Sequence, residues 1–379
     1  MAEPMLDPLD PAVLPEGVRS RFAPDVNGLR IHYLEAGHEA PDRPCVLLVH
    51  GFPELAYSWR KVMPLLADAG FHVIAPDVRG YGRTTGWDVA ATTGRAAFGM
   101  LTSVVDAIGL VSSLGHRTAA IVGHDYGSSV AGWAALARPD VFTAVALMSA
   151  PFGGAPSLPL RAPRSPSSDI HADLAALDRP RKIYTWYYSG PDANDDMTHA
   201  PQGLPAFLRA YYHYKSADWA GNRPFRLASY TAPELAQMPT YYIMDRAAGM
   251  AETVAAHMPS PAEVAAATWL TDAELAVYAQ EYARTTFRGG LEWYRRGTGR
   301  LDAPALELFA GRAIEQPSVF IAGASDWGVY QNPGALERMQ SSVCADLRGV
   351  HLIDGAGHWV QQEQPQATAA ALIDFLRST

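Results

Sequence analysis

Short apolar runs recur along the first 151 residues, and their pattern predicts strands. Residues 29–37 alternate between apolar and polar side chains, as a half-buried strand does. The other runs are continuous and suit strands that are covered on both faces of a parallel sheet. These continuous runs are 44–51, 71–77, 119–125 and 141–151.

Helical patterns lie between these runs. In residues 57–70 apolar side chains recur at helical spacing and Gly70 is a suitable C-cap, while Pro64 either kinks the helix or marks where it restarts. Residues 96–115 also have a helical pattern that ends at a glycine. Strands that alternate with helices in this way predict an α/β fold with a mostly parallel sheet.

The alternation of strands and helices stops after residue 151. From 152 to 299 the sequence has Pro-rich loops, many tyrosines and helical stretches, but no further short buried run. The earlier pattern resumes with the apolar runs 317–326 and 349–357, which a closing helix follows. The simplest interpretation is one α/β core that a helical insertion interrupts.

This organisation sets the expected domain boundaries. The core comprises residues 1–151 and 300–379, and residues 152–299 form a helical domain inserted after the sixth strand. Residues 1–20 are Pro-rich and are expected to be an irregular leader. The chain has 379 residues, 48% of them hydrophobic, which is enough for one large core and an insertion.

Charge and cysteine content exclude several classes of function. The formal net charge is −9 and basic residues do not cluster, so no nucleic-acid partner is expected. No apolar run approaches the roughly 18 residues of a transmembrane helix, and no secretory signal is recognisable. Cys45 and Cys344 cannot make a disulfide framework. We therefore expect a cytoplasmic protein without a membrane span.

Four short segments carry candidate catalytic residues, and each follows a predicted strand. They are HGFPE at 50–54, GHDYG at 123–127, Asp326 in GASD and His358 in GAGHW. Groups beyond the carboxyl ends of parallel strands meet at one edge of the sheet. The order nucleophile, acid, histidine is that of the α/β-hydrolase triad, whose nucleophile sits on a sharp turn between strand and helix. Asp354 is a competing acid, but its position in LIDGAG favours a role in the turn.

Asp125 occupies the position at which a serine hydrolase has its nucleophile. A carboxylate is a poor nucleophile toward esters and amides, but it can attack an sp³ carbon with a strained or good leaving group. An epoxide or an alkyl halide is therefore indicated. His358 then acts as the base for a water that attacks the resulting ester, and Asp326 orients His358. The backbone N–H groups of Phe52 and Tyr126 are the candidate oxyanion hole.

Together these motifs resemble those of the α/β-hydrolase-fold epoxide hydrolases. Two segments extend the resemblance: KIYTWYYSGP at 182–191 and FRGGLEWYRR at 287–296 look like the tyrosine-bearing cap segments of that family. The resemblance implies that the insertion is a cap, that Tyr184 and Tyr294 protonate the epoxide oxygen, and that no metal or cofactor takes part. Other tyrosine pairs keep the choice of Tyr184 open: Tyr187–Tyr188, Tyr211–Tyr212 and Tyr241–Tyr242.

Haloalkane dehalogenases share the triad and are the alternative function. A halide needs no proton, only N–H dipoles that commonly come from Trp, and this chain has Tyr126 where dehalogenase-like enzymes carry Trp. A ligand-binding relative without catalysis is a third hypothesis, which the intact triad opposes. Dinucleotide binding by GYGRTTG at 80–86 is disfavoured because its third glycine is one position too late.

The expected partner is a small lipophilic epoxide. Trp59 and Trp359 are close in sequence to the motifs and are predicted to bind substrate. His50 and His124 each precede a motif residue and are expected to support the site. Glu54 belongs to the resemblance, but no chemical step can be assigned to it. The sequence is compatible with a monomer or a homodimer.

Overall fold

An eight-stranded sheet forms the core of the part of the chain that the computed structural model describes, residues 6–40, 42–87, 97–160 and 169–379. In chain order the strands are β1 (Arg19–Val26), β2 (Leu29–Ala36), β3 (Cys45–Val49), β4 (His72–Pro76), β5 (Ala119–His124), β6 (Phe142–Met148), β7 (Arg181–Ile183), β8 (Ile243–Asp245), β9 (Ile314–Gly323) and β10 (Cys344–Ile353). The large sheet has the order β1-β2-β4-β3-β5-β6-β9-β10, and β7 and β8 form a separate pair.

The sheet is mostly parallel, which confirms the predicted fold class. Strands β4, β3, β5, β6, β9 and β10 pair in parallel, whereas β1 and β2 join the sheet in antiparallel fashion. Every residue of β3 is buried, as its continuous apolar run predicts. The parallel strands therefore place the residues that follow β3, β5 and β9 at one edge of the sheet.

Strand β1 was not predicted, and the expected irregular leader ends earlier than residue 20. The segment RSRFAPDV pairs with β2 from Arg19 onward, and the ladder is irregular between Ala23 and Val26. Its charged residues and Pro24 conceal the strand pattern in the sequence. Proline is tolerated here because β1 is an edge strand, whose outer N–H groups need no partner in the sheet.

Helices cover the sheet and fill most of the insertion. The described helices are α1 (Met63–Asp68), α2 (Met100–Ser113), α3 (Tyr126–Ala137), α4 (Ile170–Ala175), α5 (Tyr184–Ser189), α6 (Ala193–Thr198), α7 (Leu204–Lys215), α8 (Ala232–Leu235), α9 (Met250–Ala255), α10 (Pro261–Ala266), α11 (Asp272–Thr285), α12 (Arg288–Thr298), α13 (Ala303–Leu306), α14 (Ala335–Arg338), α15 (Val360–Glu363) and α16 (Pro365–Arg377). Short 3₁₀ segments are Pro11–Val13, Ala56–Trp59, Glu307–Phe309 and Trp327–Val329, and a π-helical turn is Met339–Val343.

The two helical regions predicted at 57–70 and 96–115 are present in the structure with different bounds. The stretch 57–70 is divided into a 3₁₀ turn and α1, and Pro64 lies in the first turn of α1, where it marks the restart of the helix. The predicted helix 96–115 corresponds to α2. Its predicted start at residue 96 lies outside the described residues.

The insertion between β6 and β9 contains a small sheet as well as helices. Strands β7 and β8 pair in antiparallel fashion, with Ile183 opposite Ile243. The expectation that this region lacks short buried strands was therefore wrong. Each strand has three residues, which is too short for an alternating pattern to appear in the sequence.

Hydrogen bonds join the insertion to the loops at the carboxyl ends of the core strands. The Tyr212 hydroxyl donates to the carbonyl oxygen of Pro53 at 3.0 Å, and the Tyr282 hydroxyl donates to that of Glu54 at 3.3 Å. The guanidinium of Arg284 donates to the carbonyl oxygen of Gly82 at 2.7 Å. The insertion thus lies directly over the HGFPE segment.

Both cysteines are buried and unpaired, Cys45 in β3 and Cys344 at the start of β10. In the described ranges, no helix combines the length and the apolar character that crossing a membrane requires.

Candidate active site

The turn at Asp125 joins β5 to α3 and gives this residue an unusual backbone conformation. Its φ is 55° and its ψ is −118°, a region that residues with a side chain rarely occupy. Close glycine contacts make the turn possible: a Cβ at Gly123 would lie 2.0 Å from the Gly127 carbonyl oxygen, and one at Gly127 would lie 2.3 Å from that of Val49. The turn presents the Asp125 carboxylate at the carboxyl end of β5.

The three residues predicted to form a triad lie together. Nδ1 of His358 is 3.1 Å from each carboxylate oxygen of Asp326. Nε2 of His358 is 3.3 Å from Oδ2 of Asp125, but no described residue is aligned to hydrogen-bond this nitrogen. Asp326 also accepts a 2.7 Å hydrogen bond from the N–H of Gly328, which holds its carboxylate. Asp354, the competing acid, is exposed.

The two candidate oxyanion donors flank Asp125. The Phe52 N–H donates a 2.9 Å hydrogen bond to Oδ1 of Asp125, and Tyr126 follows directly as the first residue of α3. A Cβ at Gly51 would lie 2.4 Å from the Asp125 Cβ, so only glycine permits this approach. The Tyr126 hydroxyl donates to the carbonyl oxygen of Trp293 at 3.3 Å. Phe52 therefore holds one carboxylate oxygen and leaves Oδ2 free of this bond.

The site keeps both aspartates ionised. Burial alone raises the pKa of the Asp125 carboxyl, but contact with His358 and the charges of His358 and Lys215 outweigh burial and lower the pKa below its ordinary value of 3.8. For Asp326, burial is again outweighed, by the charge and hydrogen bonds of His358, so its pKa is also lowered. A carboxylate that stays ionised is available as a nucleophile.

Tyr184 and Tyr294 reach the same site from the insertion. Tyr184 begins α5 and Tyr294 lies in α12, and their ring centroids are 6.1 Å apart. The Tyr184 hydroxyl donates to Oε1 of Gln331 at 3.2 Å. Burial, followed by the charge of Asp125, raises the pKa of both phenols well above 10.0. Both side chains therefore remain protonated and able to donate.

The hydroxyls of most other tyrosines that kept the choice open are engaged elsewhere. The Tyr188 hydroxyl donates to that of Tyr211 at 3.0 Å. The Tyr187, Tyr212 and Tyr241 hydroxyls donate to Asp196, the Pro53 carbonyl oxygen and Asn222. Tyr242 packs beside Tyr184 with ring centroids 5.0 Å apart, and its buried hydroxyl has no hydrogen-bond partner among the described residues.

A cavity of about 520 Å³ lies beside Asp125 and between the core and the insertion. Its aromatic walls are Tyr126, Tyr184, Trp293 and Tyr294. Polar side chains that line it are Ser129, Thr185, Thr298, Gln331, Asn332 and Arg338. Asp125, Tyr184 and Tyr294 thus share one cavity. Trp293 precedes Tyr294 in the FRGGLEWYRR segment but was not predicted to line the site, and Gln331 belongs to no motif.

The tryptophans predicted to bind substrate are not among the walls of this cavity. Trp59 is fully buried in the core cluster. Trp359 is also fully buried, packs on His358 with ring centroids 4.7 Å apart, and donates its Nε1–H to the carbonyl oxygen of Tyr212 at 2.8 Å. Trp359 therefore supports the ring of His358.

Buried polar residues of the HGFPE and GHDYG segments form hydrogen bonds behind the site. Oε2 of Glu54 is 2.5 Å from Nδ1 of His124, and Nε2 of His124 is 2.7 Å from the carbonyl oxygen of His358. Burial raises the pKa of Glu54, but the charge of His124 outweighs burial and lowers it. Nε2 of His50 accepts from the N–H of Val78 at 3.2 Å. Both histidines support the site.

Lys215 is a buried cation close to the site that no motif in the sequence reveals. Its side chain is 2% exposed, and Nζ lies 4.9 Å from the Tyr242 ring centroid and 5.4 Å from that of Trp359. Burial outweighs the charges of Asp125 and Asp326 and lowers the pKa of Lys215 below its ordinary value of 10.5. Its ammonium group and the two carboxylates stabilise one another.

The structure gives no sign of a metal or dinucleotide site in the described ranges. No three His, Cys, Asp or Glu side chains there are grouped to hold a metal ion. The GYGRTTG loop encloses a carboxylate: the Arg83 N–H donates to Oδ2 of Asp77 at 2.9 Å, and a Cβ at Gly82 would lie 2.1 Å from the same atom. The Asp77 carboxylate thus occupies this loop.

Comparison with known proteins identifies related chains. A family model described as alpha/beta hydrolase fold matches residues 44–365. Epoxide hydrolase A of Mycobacterium tuberculosis is 36% identical over 353 residues, which cover 93% of this chain and 95% of the relative. Epoxide hydrolase B of the same species is 33% identical and covers 92% and 96%.

Solved structures agree with the sequence comparison. An epoxide hydrolase from an endophytic Streptomyces superposes with a TM-score of 0.75 at 33% identity, covering 96% of each chain. Epoxide hydrolase A from Mycobacterium thermoresistibile gives a TM-score of 0.70 at 35% identity, covering 95% of this chain and 98% of the other. With the site geometry described above, these matches show that the chain belongs to the epoxide hydrolase family of the α/β-hydrolase fold.

Proposed function

We propose that the protein converts an epoxide and water into a vicinal diol through an alkyl ester on Asp125. The observation that carries the proposal is the carboxylate on the strand-to-helix turn, with Nε2 of His358 3.3 Å away and not aligned to take a proton from it. An ionised carboxylate needs no base. His358 is therefore left for a water molecule.

In the first step, a carboxylate oxygen of Asp125 attacks one epoxide carbon. The C–O bond of the ring breaks, and the electron pair goes to the oxygen. An alkoxide is too basic to leave unassisted near neutral pH, so Tyr184 or Tyr294 donates its phenolic proton to this oxygen. Their position in one cavity with Asp125 supports this role. The products are a hydroxyalkyl ester and a tyrosinate.

In the second step, His358 takes a proton from water, and the hydroxide attacks the carbonyl carbon of the Asp125 ester. Asp326 stabilises the imidazolium through the two 3.1 Å contacts with Nδ1. The N–H groups of Phe52 and Tyr126 stabilise the oxyanion of the tetrahedral intermediate. Its collapse breaks the bond between the carbonyl carbon and the alkoxy oxygen. The leaving oxygen takes the proton of the added hydroxyl, which releases the diol and restores the carboxylate, and the proton that His358 took from water passes to the tyrosinate.

We assign residues 152–299 to a cap and residues 1–151 and 300–379 to the core. The hydrogen bonds of Tyr212 and Tyr282 to the HGFPE segment support this division. The aromatic walls of the cavity favour a lipophilic substituent on the epoxide. A cytoplasmic location and a monomeric or homodimeric state complete the proposal, and cell fractionation and analytical ultracentrifugation test them.

Isotope labelling tests the covalent mechanism. In a single turnover in ¹⁸O-labelled water, the oxygen added to the diol should come from the Asp125 carboxylate and carry no label. Label fully present in the first-turnover diol contradicts the ester. Replacing His358 with glutamine should trap the ester, which intact-protein mass spectrometry detects as an addition equal to the epoxide mass.

The dehalogenase alternative uses the same Asp125, Asp326 and His358. A halide leaves without a proton, so a dehalogenase would retain activity after both Tyr184 and Tyr294 are replaced with phenylalanine. Bromide release from bromoalkanes by this double variant would favour that alternative. The epoxide hydrolase proposal expects diol formation to be lost in the same variant and no bromide release in the parent protein.

A further inference from the structure

Residues of the core donate hydrogen bonds to carbonyl groups at the C-terminal end of α7. A helix leaves its last four carbonyl groups without partners inside the helix. In α7, Ser216 and Asn222 satisfy the middle two of these groups. The other two belong to Tyr212 and Lys215, and they accept hydrogen bonds from the segment around the catalytic histidine.

We call this segment, residues 354–359, the histidine loop. The His358 N–H donates to the carbonyl oxygen of Lys215 at 2.9 Å, and the Trp359 indole N–H donates to that of Tyr212 at 2.8 Å. A Cβ at Gly357 would lie 2.5 Å from the carbonyl carbon of Ser216. The loop therefore packs directly against the end of α7 with no space between them.

We call this contact between the histidine loop and the end of α7 the joint. Glu363 forms hydrogen bonds to both sides of it. Oε2 accepts the N–H of Gly357 at 2.9 Å and the N–H of Ala217 at 2.8 Å, while Oε1 accepts the N–H of Trp359 at 2.9 Å. Gly357 and Trp359 are the chain neighbours of His358, and Ala217 belongs to the insertion. Glu363 is 8% exposed, so water competes little for these bonds. Burial outweighs the three N–H bonds and raises the pKa of its carboxyl group to about 8.

We propose that Glu363 is a positioning residue that holds the backbone of His358 against α7 and thereby sets the imidazole for the second step of the reaction. The inference rests on the proposed covalent mechanism. Glu363 does not touch the reacting atoms, and its three hydrogen bonds all end on backbone N–H groups of the joint.

The two chemical steps depend on this joint to different degrees. Asp125 is held by the turn between β5 and α3 and by the Phe52 N–H, and none of these groups contacts Glu363. Ester formation therefore keeps its nucleophile in place when the joint is loosened. A displaced His358 lowers the Asp125 pKa less, but it does not move the carboxylate. Ester hydrolysis needs Nε2 of His358 within reach of a water molecule next to Asp125, and a small displacement of the ring slows it.

The variant Glu363→Gln tests the inference with little change in volume. Its amide NH₂ would face an N–H donor, so at least one of the three bonds is lost. With styrene oxide as the probe, rapid quenching and intact-protein mass spectrometry should show ester formation within about threefold of the parent rate. Ester hydrolysis should be slowed about tenfold or more, so that the ester accumulates during turnover.

Companion variants make the outcome decisive. Glu315→Gln makes the same change at an exposed position near the start of β9 and should leave both rates unchanged. Glu363→Asp keeps both oxygen acceptors but is one methylene shorter, so it can still bond one side of the joint and should give a smaller accumulation of the ester. This variant replaces Glu363→Gln if thermal unfolding shows that Glu363→Gln does not fold.

Ester accumulation in the His358 and Glu363 variants distinguishes a wrong positioning role from a wrong covalent mechanism. If His358→Gln accumulates ester but the Glu363 variants slow both steps equally, or neither, the positioning role is overturned. If His358→Gln itself accumulates no ester, the covalent mechanism is overturned, and the inference falls with it.

Discussion

Asp125 combines an unusual backbone conformation with a buried charge, and neighbouring residues compensate for both. Glycines at 123 and 127 leave room for the turn, and the Phe52 N–H and the charges of His358 and Lys215 stabilise the carboxylate. A residue in such a conformation costs about 1–3 kcal/mol, so it persists only where the surroundings enforce it. In the GHDYG motif, the glycines therefore permit the turn, and Asp125 carries the charge that the turn presents.

The phenols of Tyr184 and Tyr294 are expected to act on ester formation alone. Tyr184→Phe and Tyr294→Phe should each slow that step by about 10–100-fold, because one phenol remains as acid, and the double variant should slow it by about 10³-fold or more. Rapid-quench measurement of ester formation checks this. Tyr187→Phe, whose hydroxyl bonds to Asp196, is the matched control and should leave the step unchanged.

The pH dependence of ester formation follows from the shifted pKa values. The step needs Asp125 ionised and the phenols protonated. The pKa of Asp125 lies below 3.8, and those of Tyr184 and Tyr294 lie well above 10.0. The single-turnover rate should therefore be flat from about pH 4.5 to about pH 9.5. The pKa of Glu363 is raised to about 8. A titration near pH 8 in the rate of ester formation that persists in Glu363→Gln would contradict the assignment of the phenols as acids.

At the scale of elements, the buried parallel strands were the most predictable part of the fold. Strands such as β3 and β5 are covered on both faces, so their sequences are continuous apolar runs. Strands β1, β7 and β8 could not be recognised, because β1 is an edge strand with Pro24 and the other two have three residues each. Their pairing depends on contacts distant in sequence.

The close approach of α3 to β3 predicts that Gly127 cannot be replaced. A Cβ there would lie 2.3 Å from the Val49 carbonyl oxygen, which is backbone and cannot rotate away. Gly127→Ala should lower the free energy of unfolding by about 1–3 kcal/mol or more.

Chemical denaturation of Gly127→Ala checks this prediction. Gly297→Ala in α12 is the control, because a Cβ there would meet no atom within 4 Å. This substitution should be neutral or stabilising by up to about 1 kcal/mol, since alanine has the higher helix propensity. Equal destabilisation by the two substitutions would refute the steric argument.

At the scale of the whole molecule, Arg60 is one of the main contacts between core and insertion. It is 2% exposed and its guanidinium bonds to Glu274 of α11 at 2.9 Å and to the side-chain oxygen of Gln362 at 2.9 Å. Arg60→Met leaves Glu274 with Lys61 as its remaining cation, 3.1 Å away. The variant should lose about 1.5–3 kcal/mol of stability, the contribution of hydrogen bonds to charged groups.

Urea unfolding of Arg60→Met measures this loss. The control is Arg179→Met, which breaks a pair with Asp245 in which the arginine side chain is 66% exposed. Exposed ion pairs contribute about 0–1 kcal/mol, so the control should change little. A similar small effect in both variants would mean that Arg60 does not hold the insertion on the core.

The order of the motifs along the chain was sufficient to predict that Asp125, Asp326 and His358 lie together, because each follows a strand of the sheet. The residues that support the triad were less accessible. Lys215 and Glu363 act through contacts between α7 and the histidine loop, which are about 140 residues apart in the chain. No local pattern reports such a contact.

The joint between α7 and the histidine loop has a consequence for damaged or partly unfolded molecules. The nucleophile is built from residues before 152, whereas the water step depends on residues near the end of the chain and on their attachment to the insertion. A molecule in which only this joint has opened would still capture an epoxide but would not release the diol. It would act as a stoichiometric scavenger, consumed by one equivalent of its substrate.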